Sequence, residues 1–369
     1  MLSNRGTAAK SILAVAVIIV VIILLLNPAV QGILRSVFID PFQESYPESS
    51  TFTLERTLTI DAQGGTVFNH TMEVPVPKNM WMDGESLQQV ITTSTQPNST
   101  VETRYGVDWM RWESEGPSFS GTRSVTITYE MKISTYMWDI SSTMSGDVGA
   151  IPQELNDRYL GDEWRIIVDD PSIRQMAASI VDTDNVLDAL RSIYDWIRAN
   201  IDYASTEILP HTSVQTLSSG MGDCDDQAVL FCALSRASGI PAWLQLGFLY
   251  DSHSQAWGGH GWVQTYIPLD QGGMKVTLDT VNDDFLVWRS NRFSDFTDDG
   301  NASHLEDYYY SFHCSYDPDT YPEGETPTFD QSLESITYQE SEERVGPEDF
   351  QMVMLSASHI ARKTPGSGS

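Results

Sequence analysis

The side chain of this sequence that is best placed to act as a nucleophile is a cysteine at the start of a predicted helix. Residues 220–243 read GMGDCDDQAVLFCALSRASGIPAW, so Cys224 follows a glycine-containing turn and precedes Asp225 and Asp226. A free thiol has a pKa of about 8.5, and only a few per cent of it is thiolate at neutral pH. The unpaired N–H groups at a helix N-terminus stabilise a thiolate by about 0.3–1 kcal/mol. This position therefore favours a reactive thiol over an inert one.

The two aspartates act in the opposite direction on the thiol. Exposed carboxylates about 7 Å from a thiolate cost on the order of 1 kcal/mol each at an effective dielectric of about 40, which roughly cancels the helix contribution. Aspartates in a first helical turn also accept hydrogen bonds from free N–H groups. We therefore interpret Asp225 and Asp226 as residues that stabilise the helix start. Contact with a substrate or a cation is the alternative.

Three further segments accompany this one in a familiar order. The core of the transglutaminase-like superfamily resembles three segments of this chain in the same order: GDCDDQAVLFCALSRASGIPAW, GGHGWVQTYIP and KVTLDTV. The helix that precedes that core resembles LRSIYDWIRANIDY. The resemblance covers roughly residues 165–290. It implies a papain-like arrangement in which helices pack on an antiparallel sheet.

The resemblance also implies roles for three residues. Cys224 would be the nucleophile, His260 the general base and Asp279 the residue that holds the imidazole in its useful tautomer. An imidazole beside a thiol lowers the thiol pKa by forming an imidazolium–thiolate pair. The backbone N–H of Cys224 would donate to the developing oxyanion. No second donor can be read from the sequence.

The elements that must position these residues can be read from residue periodicity. Asp170 and Pro171 form a predicted N-cap and first residue of a helix, and the next helix places an apolar stripe on one face, consisting of Val186, Leu190, Ile193, Ile197 and Ile201. Three predicted strands follow the cysteine helix: AWLQLGFLYD, HGWVQTYIP and MKVTLDTV. Helices followed by antiparallel strands predict an α+β domain over residues 144–314.

The preceding segment, residues 51–143, has the pattern of a β-sandwich. TFTLERTLTI and SVTITYEMKI alternate apolar and polar residues, and AQGG, TQPNST and EGPSFSG supply turns. No chemistry is apparent in this domain, which we interpret as a spacer or binding module. Residues 315–369 are acidic and rich in proline and glutamate, and we expect them to be largely disordered.

The N-terminus has the pattern of a membrane anchor. Residues 12–26, ILAVAVIIVVIILLL, are all apolar, which predicts a transmembrane helix over 11–34. Arg5 and Lys10 precede this run, so the positive-inside rule places residues 1–10 in the cytoplasm and residues 35–50, a stalk, outside with the rest of the chain. A cleaved signal peptide is the alternative. Three glycosylation sequons, at Asn69, Asn98 and Asn301, agree with export but add little weight.

Composition excludes one large class of function. The chain of 369 residues carries 51 acidic against 21 basic residues, a formal net charge of −30, and such a surface repels nucleic acid. Low lysine content suits either a protein of high-salt surroundings or an acidic ectodomain. Of the three cysteines, Cys224 and Cys232 lie eight residues apart on one predicted helix, too far to bridge, so this is no disulfide scaffold. We interpret Cys232 and Cys314 as inert.

Residues 295–306, DFTDDGNASHLE, approximate a twelve-residue calcium loop. Thr297 at the third position is a poor ligand, and DYYYSF after the loop has the pattern of a strand. We therefore interpret the segment as an acidic surface loop, with calcium binding as the alternative.

These observations predict a membrane-anchored, extracytoplasmic thiol enzyme that cleaves or transfers amide groups of protein or peptide substrates through Cys224, His260 and Asp279. No cofactor and no metal are expected, and hydrolysis is preferred because water is always available as acceptor. The alternative function is a catalytically idle binding module at the cell surface, and a calcium-stabilised adhesion protein is a third.

Overall fold

The computed structural model describes residues 45–346, apart from 83, 115 and 206–208. Its first nine strands lie between residues 46 and 137: β1 (Tyr46–Pro47), β2 (Ser49–Asp61), β3 (Thr66–Pro75), β4 (Met80–Met82), β5 (Glu85–Gln96), β6 (Thr100–Arg104), β7 (Val107–Ser114), β8 (Thr122–Ser134) and β9 (Tyr136–Met137). Alternate residues of β2 and β8 are buried, as their period-two pattern predicts.

Five helices and two short strands follow. They are α1 (Gln153–Tyr159), α2 (Pro171–Ile180), α3 (Val186–Asn200), β10 (Asp202–Tyr203), α4 (Ser213–Ser219), β11 (Met221–Gly222) and α5 (Cys224–Ala237). Asp170 caps α2 by accepting from the Ser172 N–H at 2.8 Å, and the predicted apolar stripe of α3 is buried. Both predictions are confirmed.

The remaining elements are β12 (Ala242–Asp251), β13 (Ala256–Leu269), β14 (Gly272–Asp279), β15 (Asp284–Phe285), β16 (Val287–Trp288), β17 (Arg292–Thr297), α6 (Ala302–Tyr309), β18 (Phe312–Asp317), β19 (Thr328–Glu340) and β20 (Arg344–Val345). An antiparallel sheet in the order β15-β14-β13-β12-β17 carries α5 on one face. The three strands predicted after the cysteine helix are therefore present as β12, β13 and β14.

One strand of the predicted disordered tail, β19, and one that begins just before it, β18, belong to the sandwich. The sandwich sheets have the orders β18-β3-β7-β6 and β19-β2-β8-β5-β4, so β18 and β19 are edge strands paired with β3 and β2. The prediction of disorder from residue 315 is wrong as far as residue 346. Residues 347–369 lie outside the described residues.

The fold-class prediction, α+β behind an N-terminal transmembrane helix, needs correction. The described chain is mainly β, because two long sandwich strands and strands β18 and β19 add to the sheet of the second half. Within residues 45–346, no described helix has both the length and the hydropathy to cross a bilayer. The predicted span 11–34 itself lies outside the described residues.

The sandwich and the second sheet share one continuous hydrophobic core. Phe52 of β2 packs on Trp257 of β13 with ring centroids 4.5 Å apart. Arg56 of β2 is buried and donates to the Asp295 carboxylate of β17 at 3.1 Å. The β-sandwich therefore supports the sheet that carries the predicted base.

A buried charge cluster fixes the far end of α5. Arg236 in the last turn donates to Glu163 at 2.9 Å, and its Nη2 lies 3.7 Å from Asp298. Burial and the nearby Glu163 charge raise the pKa of Asp298 well above its ordinary value. One guanidinium thus faces two carboxyl groups. Asp298 therefore retains its proton at pH values where an exposed aspartate has lost it.

This cluster predicts a pH-dependent stability. Because the folded-state pKa of Asp298 is raised, its contribution is fully present below the unfolded pKa of about 4 and is lost as pH rises through the folded pKa, by up to about 1.4 kcal/mol per pH unit. Asp298→Asn removes this titration, so its free energy of unfolding should vary less with pH than the wild-type value. Denaturant unfolding from pH 5 to 8 measures it, with exposed Asp139→Asn as control. A wild-type slope in Asp298→Asn would contradict the assignment.

Candidate active site

The turn before α5 is built so that Cys224 is the first residue of the helix. Asp223 accepts from the Asp226 N–H at 3.3 Å, and the Asp226 carboxylate accepts from the Asp223 N–H at 3.2 Å, which forms a reciprocal cap. A Cβ atom at Gly222 would lie 2.5 Å from the Asp226 Cβ, so the turn requires glycine there. Asp226 is thus a helix-start residue, as predicted.

Asp225 does not have the predicted role. Its Oδ1 lies 3.7 Å from the Cys224 sulfur, and its Oδ2 accepts from the Tyr309 hydroxyl at 2.7 Å. A Cβ atom at Gly261 would lie 2.2 Å from Oδ1, so glycine at that position makes room for the carboxylate. Burial raises the pKa of Asp225 to about 6, although the Tyr309 hydrogen bond opposes the rise. Asp225 is therefore turned inward against the Cys224 sulfur instead of outward as a helix cap.

The Cys224 thiol is partly exposed and neutral at rest. The backbone N–H of Gly261 donates to its sulfur, but burial of the sulfur and the charge of Asp225 outweigh this hydrogen bond and raise the pKa of the thiol well above its ordinary value. The expectation that the helix terminus and an imidazole pair would lower this pKa is wrong. Burial of the sulfur is the main reason, and Asp225, which the sequence pattern placed on the helix surface, raises the pKa of the thiol further.

His260 and Asp279 form the predicted pair. The His260 Nε2 lies 2.7 Å from the Asp279 Oδ2, and both side chains are buried. When Nε2–H donates to this carboxylate, the Nδ1 lone pair is left to accept a proton. The pair sits at the point where β14 separates from β13.

Two residues that the sequence reading did not single out complete the pair. Arg292 donates to the Asp279 Oδ2 at 2.8 Å, and Asn282 donates to the same oxygen at 2.9 Å. Burial alone would raise the pKa of Asp279, but His260 and Arg292 outweigh burial and hold it well below its ordinary value. Asp279 is therefore ionised throughout the neutral range. No local motif marks Arg292, which lies 13 residues further along the chain.

Cys224 and His260 line the same cleft, which has a volume of about 460 Å³. Gly261, whose N–H reaches the sulfur, directly follows His260 on β13. Tyr203, 62% exposed, also lines the cleft, as do Asn282 and Arg289. The structure thus brings the three predicted site residues into one region. Their catalytic roles stay a prediction.

The other residues weighed in the sequence lie elsewhere. Cys232 is buried in α5, and Cys314 is half-buried on β18. In the proposed calcium loop, Asp295 is on β17 and bound by Arg56 and the Tyr308 hydroxyl, while Glu306 is in α6. In the described part of the chain, no three His, Cys, Asp or Glu side chains converge as they would around a metal ion.

The inward position of Asp225 leads to a prediction about Cys224. A carboxylate 3.7 Å from a thiolate costs about 2 kcal/mol at an effective dielectric of about 40. Asp225→Asn should therefore increase the thiolate fraction. Because nucleophilicity falls with thiol pKa, the net rate of iodoacetamide labelling of Cys224 at pH 7.5 should rise about five- to tenfold.

The labelling rate is measured by mass spectrometry of the Cys224 peptide. Since Asp225 is largely protonated below its pKa of about 6, the two proteins should converge at pH 5. Asp139→Asn, which removes an exposed carboxylate that does not line the cleft, is the control for a general loss of negative charge. An unchanged or lower rate in Asp225→Asn would show that the carboxylate does not act on the thiol.

Comparisons with known proteins find similar chains over the part that contains this cleft. A family model described as the Transglutaminase-like superfamily matches residues 174–276, which contain Cys224 and His260 and end three residues before Asp279. A candidate cysteine protease of known structure from Cytophaga hutchinsonii has a TM-score of 0.56 at 17% identity, and the match covers 80% of this chain and 93% of that one. At that identity the likeness shows the fold alone.

Weaker likenesses carry no argument. A candidate protease from Parabacteroides distasonis has a TM-score of 0.28 at 13% identity, covering 66% of this chain and 47% of that one. The periplasmic domain of TgpA from Pseudomonas aeruginosa has a TM-score of 0.31 at 13% identity, covering 64% and 88%. No curated protein sequence matches this chain. On the family match, residues 174–276 form a transglutaminase-like domain.

Proposed function

We propose that the chain is a thiol hydrolase that cleaves amide bonds of protein or peptide substrates, with Cys224 as nucleophile, His260 as general base and Asp279 as the residue that positions His260. The observation that carries this proposal is the 2.7 Å hydrogen bond between His260 and Asp279 on the wall of the cleft that contains Cys224. It leaves one imidazole nitrogen available in a site that also holds a thiol.

The raised pKa of Cys224 determines how the first step would proceed. Because the thiol is neutral at rest, no thiolate–imidazolium ion pair exists before the substrate binds. The thiol proton passes to His260 Nδ1 as the sulfur attacks the substrate carbonyl. A tetrahedral oxyanion forms, and the backbone N–H of Cys224 is the donor proposed for it. His260 then gives the proton to the departing amine, and a thioester remains on Cys224.

Water completes the cycle in this proposal. His260 accepts a proton from a water molecule that attacks the thioester, and the carboxylic acid leaves as the proton returns to the sulfur. An amine in place of water would give transfer instead of hydrolysis. Hydrolysis is proposed because water is always present in an open cleft.

The second function is an idle binding module, and one observation favours it. The pKa of Cys224 is raised where an efficient cysteine nucleophile has it lowered. Against it, a binding module has no need for a buried His260–Asp279 pair beside a thiol. The two functions differ in whether a covalent intermediate forms.

Trapping that intermediate tests the proposal. The full chain is mixed with a library of capped decapeptides, quenched in acid and digested, and adducts are located by mass spectrometry. We expect peptide cleavage together with an acyl adduct on Cys224 and none on Cys314, which is half-buried and serves as the internal control. Binding of peptides without cleavage or adduct would identify the idle module.

A further inference from the structure

Strand β13 begins beyond the reach of its neighbour β14. On one side, residues Ala256–Thr265 pair with β12, but on the other side pairing with β14 covers only Val263–Leu269. Among the described residues, the segment from Ala256 to Gly261 therefore has one unpaired edge. This edge borders the cleft that contains Cys224.

The direction of one amide shows which backbone groups face that edge. The Gly261 N–H donates to the Cys224 sulfur, so it points away from β12 and into the cleft. Backbone groups of a strand alternate between its two edges. Gly259 and Trp257, two and four residues before Gly261, therefore direct their N–H and C=O groups to the same side. The N–H and C=O groups of these alternate residues are therefore spaced to pair with a second strand on this edge.

The side chains leave this edge open. Gly258 and Gly259 are exposed, and a Cβ atom at either position would meet nothing within 4 Å. The Trp257 side chain is buried against Phe52 in the core, so it does not cover the edge. A second main chain could approach this segment closely, as strand addition requires.

We propose that the substrate is an extended polypeptide segment that pairs with this edge as an added strand, bound through the backbone groups of Trp257 and Gly259. This inference rests on the proposed function and names its substrate class. Gly261 marks the position of the sulfur, and it lies two residues, about 7 Å along the strand, from Gly259. The attacked carbonyl is therefore about two substrate residues from the residue that pairs with Gly259.

The proposal excludes folded substrates. A segment within a helix or a central strand has its backbone groups already bonded, so it cannot pair with β13 until it unfolds. Unstructured loops and termini are the segments that fit. Recognition would depend on the substrate backbone more than on any one side chain.

A backbone scan of the substrate tests this directly. The best-cleaved library peptide is remade with one amide at a time replaced by an ester, which removes an N–H donor and keeps the side chains. We expect one or two positions, about two residues from the cleaved bond, to lower kcat/KM by about three- to tenfold, and the others to change it less than twofold. If every ester peptide is cleaved with a kcat/KM within twofold of that of the all-amide peptide, strand addition is overturned and the proposed function is retained.

A protein variant gives the complementary result. Gly259→Pro removes the N–H that faces the cleft, whereas Gly259→Ala keeps it and adds a methyl group where space is open. We expect Gly259→Pro to raise KM well above the value for Gly259→Ala, which shows what a methyl group alone does at this position. Unchanged iodoacetamide labelling of Cys224 and an unchanged melting temperature show that the proline variant is folded. Should it not fold, the ester scan on the wild-type protein decides.

Protection of Cys224 separates this proposal from the proposed function. A bound strand should slow iodoacetamide labelling of Cys224, and the all-amide peptide library should do so while the fully N-methylated library does not. This protection without cleavage would retain strand addition and reject the hydrolase. Equal protection by both libraries, or none by either, would reject strand addition.

Discussion

His260→Ala is expected to slow peptide cleavage by about 1,000-fold, because the thiol then has no imidazole to accept its proton. His260 is the only histidine among the described residues of the cleft. In the variant, thiolate must form by direct ionisation of a thiol whose pKa is raised. The residual rate should therefore keep rising toward high pH, in proportion to the thiolate fraction.

The measurement is kcat/KM from pH 6 to 10 for both proteins. His313→Ala, which changes an exposed histidine on β18, is the matched control and should behave as wild type. Cys224→Ala sets the background rate. If His260→Ala stays within tenfold of wild type, His260 is not the base, and the proposed mechanism fails.

Asp279→Asn is expected to lower kcat by about 100- to 10,000-fold with little change in KM. An amide nitrogen in place of one carboxylate oxygen removes the negative charge and sets a donor among the N–H groups that bind Asp279, so the accepting contact that fixes the Nε2–H tautomer is lost. The imidazole proton would then move to Nδ1, which could no longer take a proton from the thiol. Asp279 thus acts through His260, as a positioning residue.

Asp284→Asn separates this effect from damage to the fold. Arg292 is buried between the two carboxylates, 2.8 Å from Asp279 and in contact with Asp284, so each variant removes one partner of the same guanidinium. We expect both variants to lower the melting temperature at pH 7 but only Asp279→Asn to lose activity. Since the pKa of Asp279 is lowered, its stabilising contribution is lost as pH falls below about 4. Equal activity losses in both variants would show that Asp279 is merely structural.

The sequence predicted well wherever one local pattern decides the structure. The cap at Asp170, the buried stripe of α3, the three strands and the helix that starts at Cys224 each depend on neighbours within a few residues. The motifs around Cys224 and His260 were recognisable because a glycine turn before a helix and a glycine-rich strand entry are local features as well. Asp279 was found through the resemblance, at the end of a strand.

The misread segments lacked such a local pattern. Strand β19 is an edge strand with mostly exposed side chains, so it shows no apolar alternation, and main-chain hydrogen bonds to β2 hold it in the sheet. Its acidic composition indicated disorder because composition measures only how much apolar area a segment can bury. Composition gives no information on whether another strand of the chain pairs with the segment. Because these strands were read as disordered, the strand content was underestimated and the fold class was predicted as α+β instead of mainly β.

By itself, the sequence determined the resemblance to the transglutaminase-like superfamily over residues 174–276, the candidate nucleophile and the local elements that hold it, because those depend on residue type and short-range spacing. Only the tertiary structure decided the electrostatics of the site. Asp225 turns toward the sulfur because Tyr309, 84 residues later, donates to it, and Asp279 is held ionised because Arg292 reaches it from β17. Charge interactions depend on distance through space and on burial, and neither follows from distance along the chain.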